Sequence, residues 1–269
     1  MSFPVKSIAG ASGIGDAVYL YPIVKHFLEA GEPLQVKTKF PALYAALDEY
    51  VERGQLTFGP YGRDATIYCN YVPKKRDQRS NQFDDMVSLS GLEPGTVKFH
   101  YDFPGVDTAK KTGPVENVMV ILPRGVTYLR EGHREMVPTL EFYKEMLFWL
   151  NKSYRLTLYN CNDALYDPME FSSFGQVVDQ VRLSDFIAMV ADHDVTITQP
   201  GNALAFSEGF GRKTVVIQSA RSKVTTNWFL STITPAKIIT DHSITSHAYV
   251  SGPKDADRVC QILTRWNGV

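Results

Sequence analysis

Short apolar runs alternate with amphipathic stretches along this chain, and a glycine-rich turn joins the first run to the first amphipathic stretch. Val5–Ala9 reads as a strand, Gly10-Ala-Ser-Gly-Ile-Gly15 as the turn, and Asp16–Ala30 as a helix. In that helix Ala17, Val18, Leu20, Tyr21, Val24, Phe27 and Leu28 recur at helical spacing, and Gly31 ends the run. The spacing predicts a strand over Leu34–Thr38 and a helix over Pro41–Glu52, with Pro in its first turn and Gly54 beyond its end. Ala65–Val72 then reads as a strand and Asn81–Ser90 as a helix.

Lys110-Lys-Thr-Gly-Pro-Val-Glu-Asn117 concentrates turn formers and charges without an apolar period, so it reads as a linker. After it the alternation restarts. Val118–Leu122, Tyr154–Tyr159, Val195–Thr198, Lys213–Gln218 and Lys237–Thr240 read as strands. Pro138–Leu150, Leu183–Ala191, Asn202–Phe210 and Pro253–Trp266 read as helices. Alternation of this kind implies parallel sheets covered by helices. The expected fold is α/β, with two Rossmann-like domains whose parallel sheets face each other across a cleft. The boundaries fall at 1–114 and 115–269, with the last helix available to pack back on the first domain.

Composition narrows the class. The 269 residues carry 28 Lys+Arg against 29 Asp+Glu and are 44% hydrophobic, which excludes disorder and a surface basic enough to coat nucleic acid everywhere. A chain this long buries a core without disulfide or metal staples. Cys69, Cys161 and Cys260 are scattered and odd in number, as expected of reduced thiols. No apolar run approaches a membrane span, and Met-Ser-Phe-Pro-Val-Lys-Ser lacks the apolar stretch of a signal peptide, so the expected location is the cytoplasm.

In doubly wound sheets ligands sit at the carboxyl ends of strands, where glycine turns meet helix N-termini. Two turns fit. In the first, glycines at 10, 13 and 15 match neither dinucleotide spacing, and no acidic residue follows at the end of Leu34–Thr38 to hold a ribose. Nicotinamide binding is therefore disfavoured. Asp16 opens the following helix, either as an ordinary capping aspartate or as a general base, with Gly13 and Gly15 letting an acceptor approach closely.

The second turn is Gln199-Pro-Gly201-Asn202, a seat for phosphate at a helix start. Glu208 lies further along that helix, as a solvated residue or as a partner for two ribose hydroxyls. Arg124, Arg130 and Arg134 offer guanidinium groups to a pyrophosphate, and Lys74, Arg76 and Arg79 form a charge run able to meet an anionic acceptor. The histidines do not cluster at metal-ligand spacing, and there is no nucleophile elbow.

Gly13-Ile-Gly15-Asp16 followed by Val18-Tyr-Leu-Tyr-Pro22 resembles the opening of the ADP-heptose:lipopolysaccharide heptosyltransferase family. Leu183–Ala191, Asp194–Thr198, Gly201-Asn202 and Phe210-Gly211-Arg212 follow that family's order of helix, strand, phosphate turn and helix. Asn81–Leu92 is similar to its acceptor-side helix. The resemblance implies a GT-B glycosyltransferase without metal or resident cofactor, the first domain taking the acceptor and the second the nucleotide-sugar. Asp16 matches the family's catalytic aspartate, and Glu208 sits where retaining GT-B enzymes often hold ribose. The family's Asp-Ser/Thr-Gly and His-Leu-Ala stand here as Pro200-Gly201-Asn202 and Ala205-Phe206-Ser207, which leaves donor sugar and base open.

The expected activity is transfer of a sugar from a nucleotide-sugar to an acceptor hydroxyl, with Asp16 as base. The expected acceptor is a saccharide or, second, nucleic acid through a modified base. A sugar-nucleotide epimerase or hydrolase, and a non-catalytic nucleotide- or glycan-binding module, are the alternatives.

Overall fold

Parallel strands joined by helices organise both halves of the computed structural model, which describes residues 6–70, 81–109, 111–123, 137–161, 165–221 and 234–268. The chain divides into two compact units, Met1–Val106 with Pro235–Thr240, and Asp107–Thr234 with Asp241–Val269.

In the first unit β1 (Lys6–Ala9), β2 (Leu34–Lys37), β3 (Leu56–Gly59) and β4 (Ile67–Tyr68) form a parallel sheet in the order β3-β2-β1-β4. Helix α1 (Ile14–Glu29) is buried from Ala17 through Val24, because the sheet covers one side and other elements the rest. Its end is a Schellman turn: Gly31, at φ +80°, donates to the Leu28 carbonyl and Glu32 to that of Phe27. The helix expected over Pro41–Glu52 splits into a 3₁₀ segment, Pro41–Leu47, and the short α2, Asp48–Glu52. The tighter winding lines up Tyr44 and Leu47, three apart and both buried. Helix α3 spans Gln82–Leu89 and is capped by Asn81, whose Oδ1 accepts from the Asp84 N–H at 2.9 Å.

The second unit holds β5 (Asn117–Ile121), α4 (Leu140–Leu150), β6 (Arg155–Asn160), β7 (Gln176–Asp179), α5 (Leu183–Asp192), β8 (Val195–Thr198), α6 (Asn202–Gly209) and β9 (Lys213–Ser219). The chain next contributes α7 (Pro235–Ile238) to the first unit, then returns for β10 (Thr245–Val250) and α8 (Ala256–Trp266). The sheet is wholly parallel in the order β10-β9-β8-β5-β6-β7, the doubly wound arrangement. Strand β8 is buried throughout and β9 from Thr214 to Ser219, as a sheet covered on both faces requires. Helix α8 packs on α4 and β10 within this unit, with Val259 and Leu263 in the core.

Lys237–Thr240 was expected as a strand and is instead helical through Ile238. The buried Ile238 and Ile239, and a Lys237–Asp85 ion pair at 3.1 Å, tie this segment to the first unit, and β10 takes the sheet position. Arg212, only 2% exposed, donates to the backbone carbonyls of Ala191 (2.7 Å), Ala109 (2.5 Å) and Asp107 (2.7 Å). It thereby fixes the start of the connecting segment to the second unit.

Candidate active site

The first sheet reverses its strand order between β1 and β4, so its ligand edge is where β1 ends. There the chain turns through Gly10–Gly13 and enters α1. Asp16 is the third residue of that helix, and its Oδ2 accepts from the Gly13 N–H at 3.2 Å, satisfying a donor the helix geometry leaves open. A Cβ on Gly13 would lie 2.8 Å from that same Oδ2, so the glycine leaves room for the carboxylate. Gly15 is the second helical residue.

The other oxygen, Oδ1, accepts from Nε2 of Gln82 at 2.8 Å. Gln82 is 8% exposed and opens α3, whose cap Asn81 fixes the angle at which it enters. One helical turn on, Asp85 is held by Lys237. Burial raises the Asp16 pKa above its ordinary value, and the hydrogen bonds from Gly13 and Gln82 offset only part of that rise. A half-buried carboxylate, oriented through both oxygens and made more basic than a solvated one, is equipped to take a proton. Sequence reading singled out Asp16 and the α3 segment but missed Gln82, because a glutamine at a helix start carries no signal until the fold brings it to a carboxylate.

The second sheet reverses its order between β5 and β8. Gln199-Pro200-Gly201-Asn202 leaves β8 at that point. Gly201 is extended (φ 161°, ψ −164°), α6 starts at Asn202, and no side chain caps the helix from Gly201. Asn202 Oδ1 accepts from the Ala203 N–H at 3.0 Å. Gln199 is buried and its Nε2 donates to the Tyr143 hydroxyl at 3.4 Å, locking the turn to α4. Glu208 is 3% exposed, so the solvated-residue reading of it does not hold. Lys74, Arg76, Arg79, Arg124, Arg130 and Arg134 lie outside the described residues. Among the described residues no three His, Cys, Asp or Glu side chains gather as a metal site, and no helix is long and apolar enough to cross a membrane.

No family model matches the chain, and no curated protein matches it in sequence. Solved structures do match in shape. TibC, an iron-containing dodecameric glycosyltransferase of enterotoxigenic E. coli H10407, aligns over 81% of this chain at a TM-score of 0.56 and 12% identity. The chain spans only 60% of the length of that protein. E. coli heptosyltransferase WaaC with ADP aligns over 97% of this chain and 99% of its own, at a TM-score of 0.58 and 10% identity. The glycosyl transferase family 9 structure from Veillonella parvula DSM 2008 covers 98% of this chain and 91% of its own, at 0.55 and 10% identity. The chain has a heptosyltransferase-like glycosyltransferase fold. At such identities the likeness is one of architecture, and the chemistry has to be argued from the site.

Proposed function

We propose that this chain is a glycosyltransferase that moves a sugar from a nucleotide-sugar donor to an acceptor hydroxyl, with Asp16 as general base. The Asp16 carboxylate carries the reading: it stands at the ligand edge of its sheet, aligned by Gly13 and Gln82, in a heptosyltransferase-like fold. In the step proposed, Asp16 takes the acceptor hydroxyl proton as that oxygen bonds to the anomeric carbon. The bond from that carbon to the diphosphate oxygen breaks, and the nucleoside diphosphate leaves with the electron pair.

The α6 start at Gly201-Asn202 seats the pyrophosphate, with Arg124, Arg130 and Arg134 as its cations and no metal needed. Together they stabilise the leaving-group charge, a task in which one well-placed donor contributes about 3 kcal/mol. The acceptor is anionic, a saccharide first and a modified DNA base second, on the strength of Lys74, Arg76 and Arg79.

The test begins with thermal shifts against UDP, GDP, ADP, CMP and NAD. A ligand at about 100 times its dissociation constant adds about 2.7 kcal/mol of stability. One nucleoside diphosphate is expected to stabilise the chain, and NAD to leave it unmoved. With the matching donor, Asp16→Asn lowers turnover by about 10²–10⁴ while donor affinity stays near wild type. Full activity in that variant removes Asp16 as base. Binding without turnover for every acceptor tried moves the chain to the non-catalytic module, a reading the acid-free second turn favours.

A further inference from the structure

A cavity of about 430 Å³ opens in the second unit at the carboxyl ends of β9 and β10. Its volume falls in the range of small-molecule sites, and it sits on the edge of the sheet where such sites form. The floor is built by strand pairing: Ser219 and Val250, the last residues of the two strands, are register partners. Helix α4 closes one side with its first turn, where Thr139 caps the helix by accepting from the Phe142 N–H at 3.3 Å. The β10 side is braced as well, since the Ser251 N–H donates to Asp255 at 2.6 Å.

The lining specifies the ligand. Glu141 and Arg221 supply one charge of each sign, and no ion pair among the described residues takes up either. Thr139, Ser219 and Ser251 add hydroxyls, and Tyr166 adds a ring with a polar tip. Leu140, Leu165 and Val250 supply apolar surface between them. A phosphate in this cavity would face the Glu141 carboxylate as well as the Arg221 guanidinium, and the repulsion of the first offsets the attraction of the second. A neutral, hydroxyl-rich ring satisfies every feature: vicinal hydroxyls donate to the carboxylate, others accept from the guanidinium, and the C–H face lies on the apolar wall or the tyrosine.

We propose that this cavity is a carbohydrate-binding site for a sugar unit. It goes beyond the transferase reading and does not depend on Asp16, because every lining residue belongs to the second unit. The link Gln199–Tyr143 places its α4 wall next to the Gly201 turn, so both features share one end of one sheet.

The deciding experiment is saturation-transfer NMR on the full chain with methyl glycosides of glucose, galactose, mannose, rhamnose and N-acetylglucosamine. At least one glycoside is expected to bind. Glu141→Gln, at an exposed position that leaves the fold intact by circular dichroism, is expected to weaken it about tenfold. Arg221→Gln weakens it as well, and excess inorganic phosphate leaves it bound. Nucleoside diphosphate binding is expected to be unchanged in Glu141→Gln, so loss of the donor site and loss of this site are separate results. The proposal is overturned if no glycoside binds the folded chain, if both cavity variants bind as wild type does, or if phosphate displaces the sugar.

Discussion

The two switch-point turns share a plan and differ in one residue type. Each follows a buried strand, passes through glycine and opens a helix. The first places Asp16 in the opening turn of its helix; α6 has no acid there. A helix N-terminus without an acid is free to receive an anion from outside, whereas one that already holds a carboxylate has used that attraction on its own side chain. On the proposed reading the same backbone device serves as a base mount in one unit and as a phosphate seat in the other.

Gly13→Ala breaks the first half of this comparison most sharply. The new Cβ falls 2.8 Å from Asp16 Oδ2, and the carboxylate is the part that yields. Since a misplacement of about 1 Å costs about 10² in rate, turnover is expected to drop by that factor with unfolding midpoint little changed. Steady-state kinetics beside a melting curve separate the two. Normal turnover would mean that Asp16 need not be held where Gly13 leaves it.

Asn202→Asp makes the second turn resemble the first. A carboxylate at the start of α6 repels the donor diphosphate, and about tenfold weaker nucleoside diphosphate binding is expected by calorimetry. Unchanged affinity would remove the diphosphate from this turn. Gln82→Leu comes next in size. With one donor gone, Asp16 rises further above its ordinary pKa, so the acid limb of the rate profile moves to higher pH and turnover falls about fivefold. A profile that keeps its acid limb would show that Gln82 does not tune the base.

Much of this architecture was legible because buried parallel strands are near-continuous apolar runs. Val118–Leu122 and Val195–Thr198 differ from the observed strands by at most one residue at either end. The strands that escaped reading are of a different kind. Leu56–Gly59 and Gln176–Asp179 are sheet edges with mostly half-open faces, and Thr245–Val250 is rich in polar residues, so none carries an apolar run. Asp16 was legible because a carboxylate in a first helical turn after glycines is a local pattern. Gln82 and Lys237 were not, since each acts across a contact of long sequence separation that only the fold creates. Arg212, met in the sequence as part of a family-like string, turns out to hold backbone carbonyls.

The smallest expected effect tests whether the first turn gives up stability for its basicity. The folded-state pKa of Asp16 lies above its unfolded value, so between the two values the folded chain binds more protons than the unfolded one. Stability then falls as pH rises through that window, and the ionised carboxylate destabilises the fold at neutral pH. Asp16→Asn removes the charge yet keeps an oxygen to accept from the Gly13 N–H, while the Gln82 amide can turn to offer its carbonyl. At pH 7 the variant is expected to melt about 2 °C above wild type. Well below the ordinary aspartate value of 3.8 the wild-type carboxyl is protonated in both states, and the gap closes. If the gap is absent at pH 7 or has the opposite sign, the Gly13 and Gln82 bonds outweigh burial, and Asp16 is a stabilising cap like any other helix-opening aspartate.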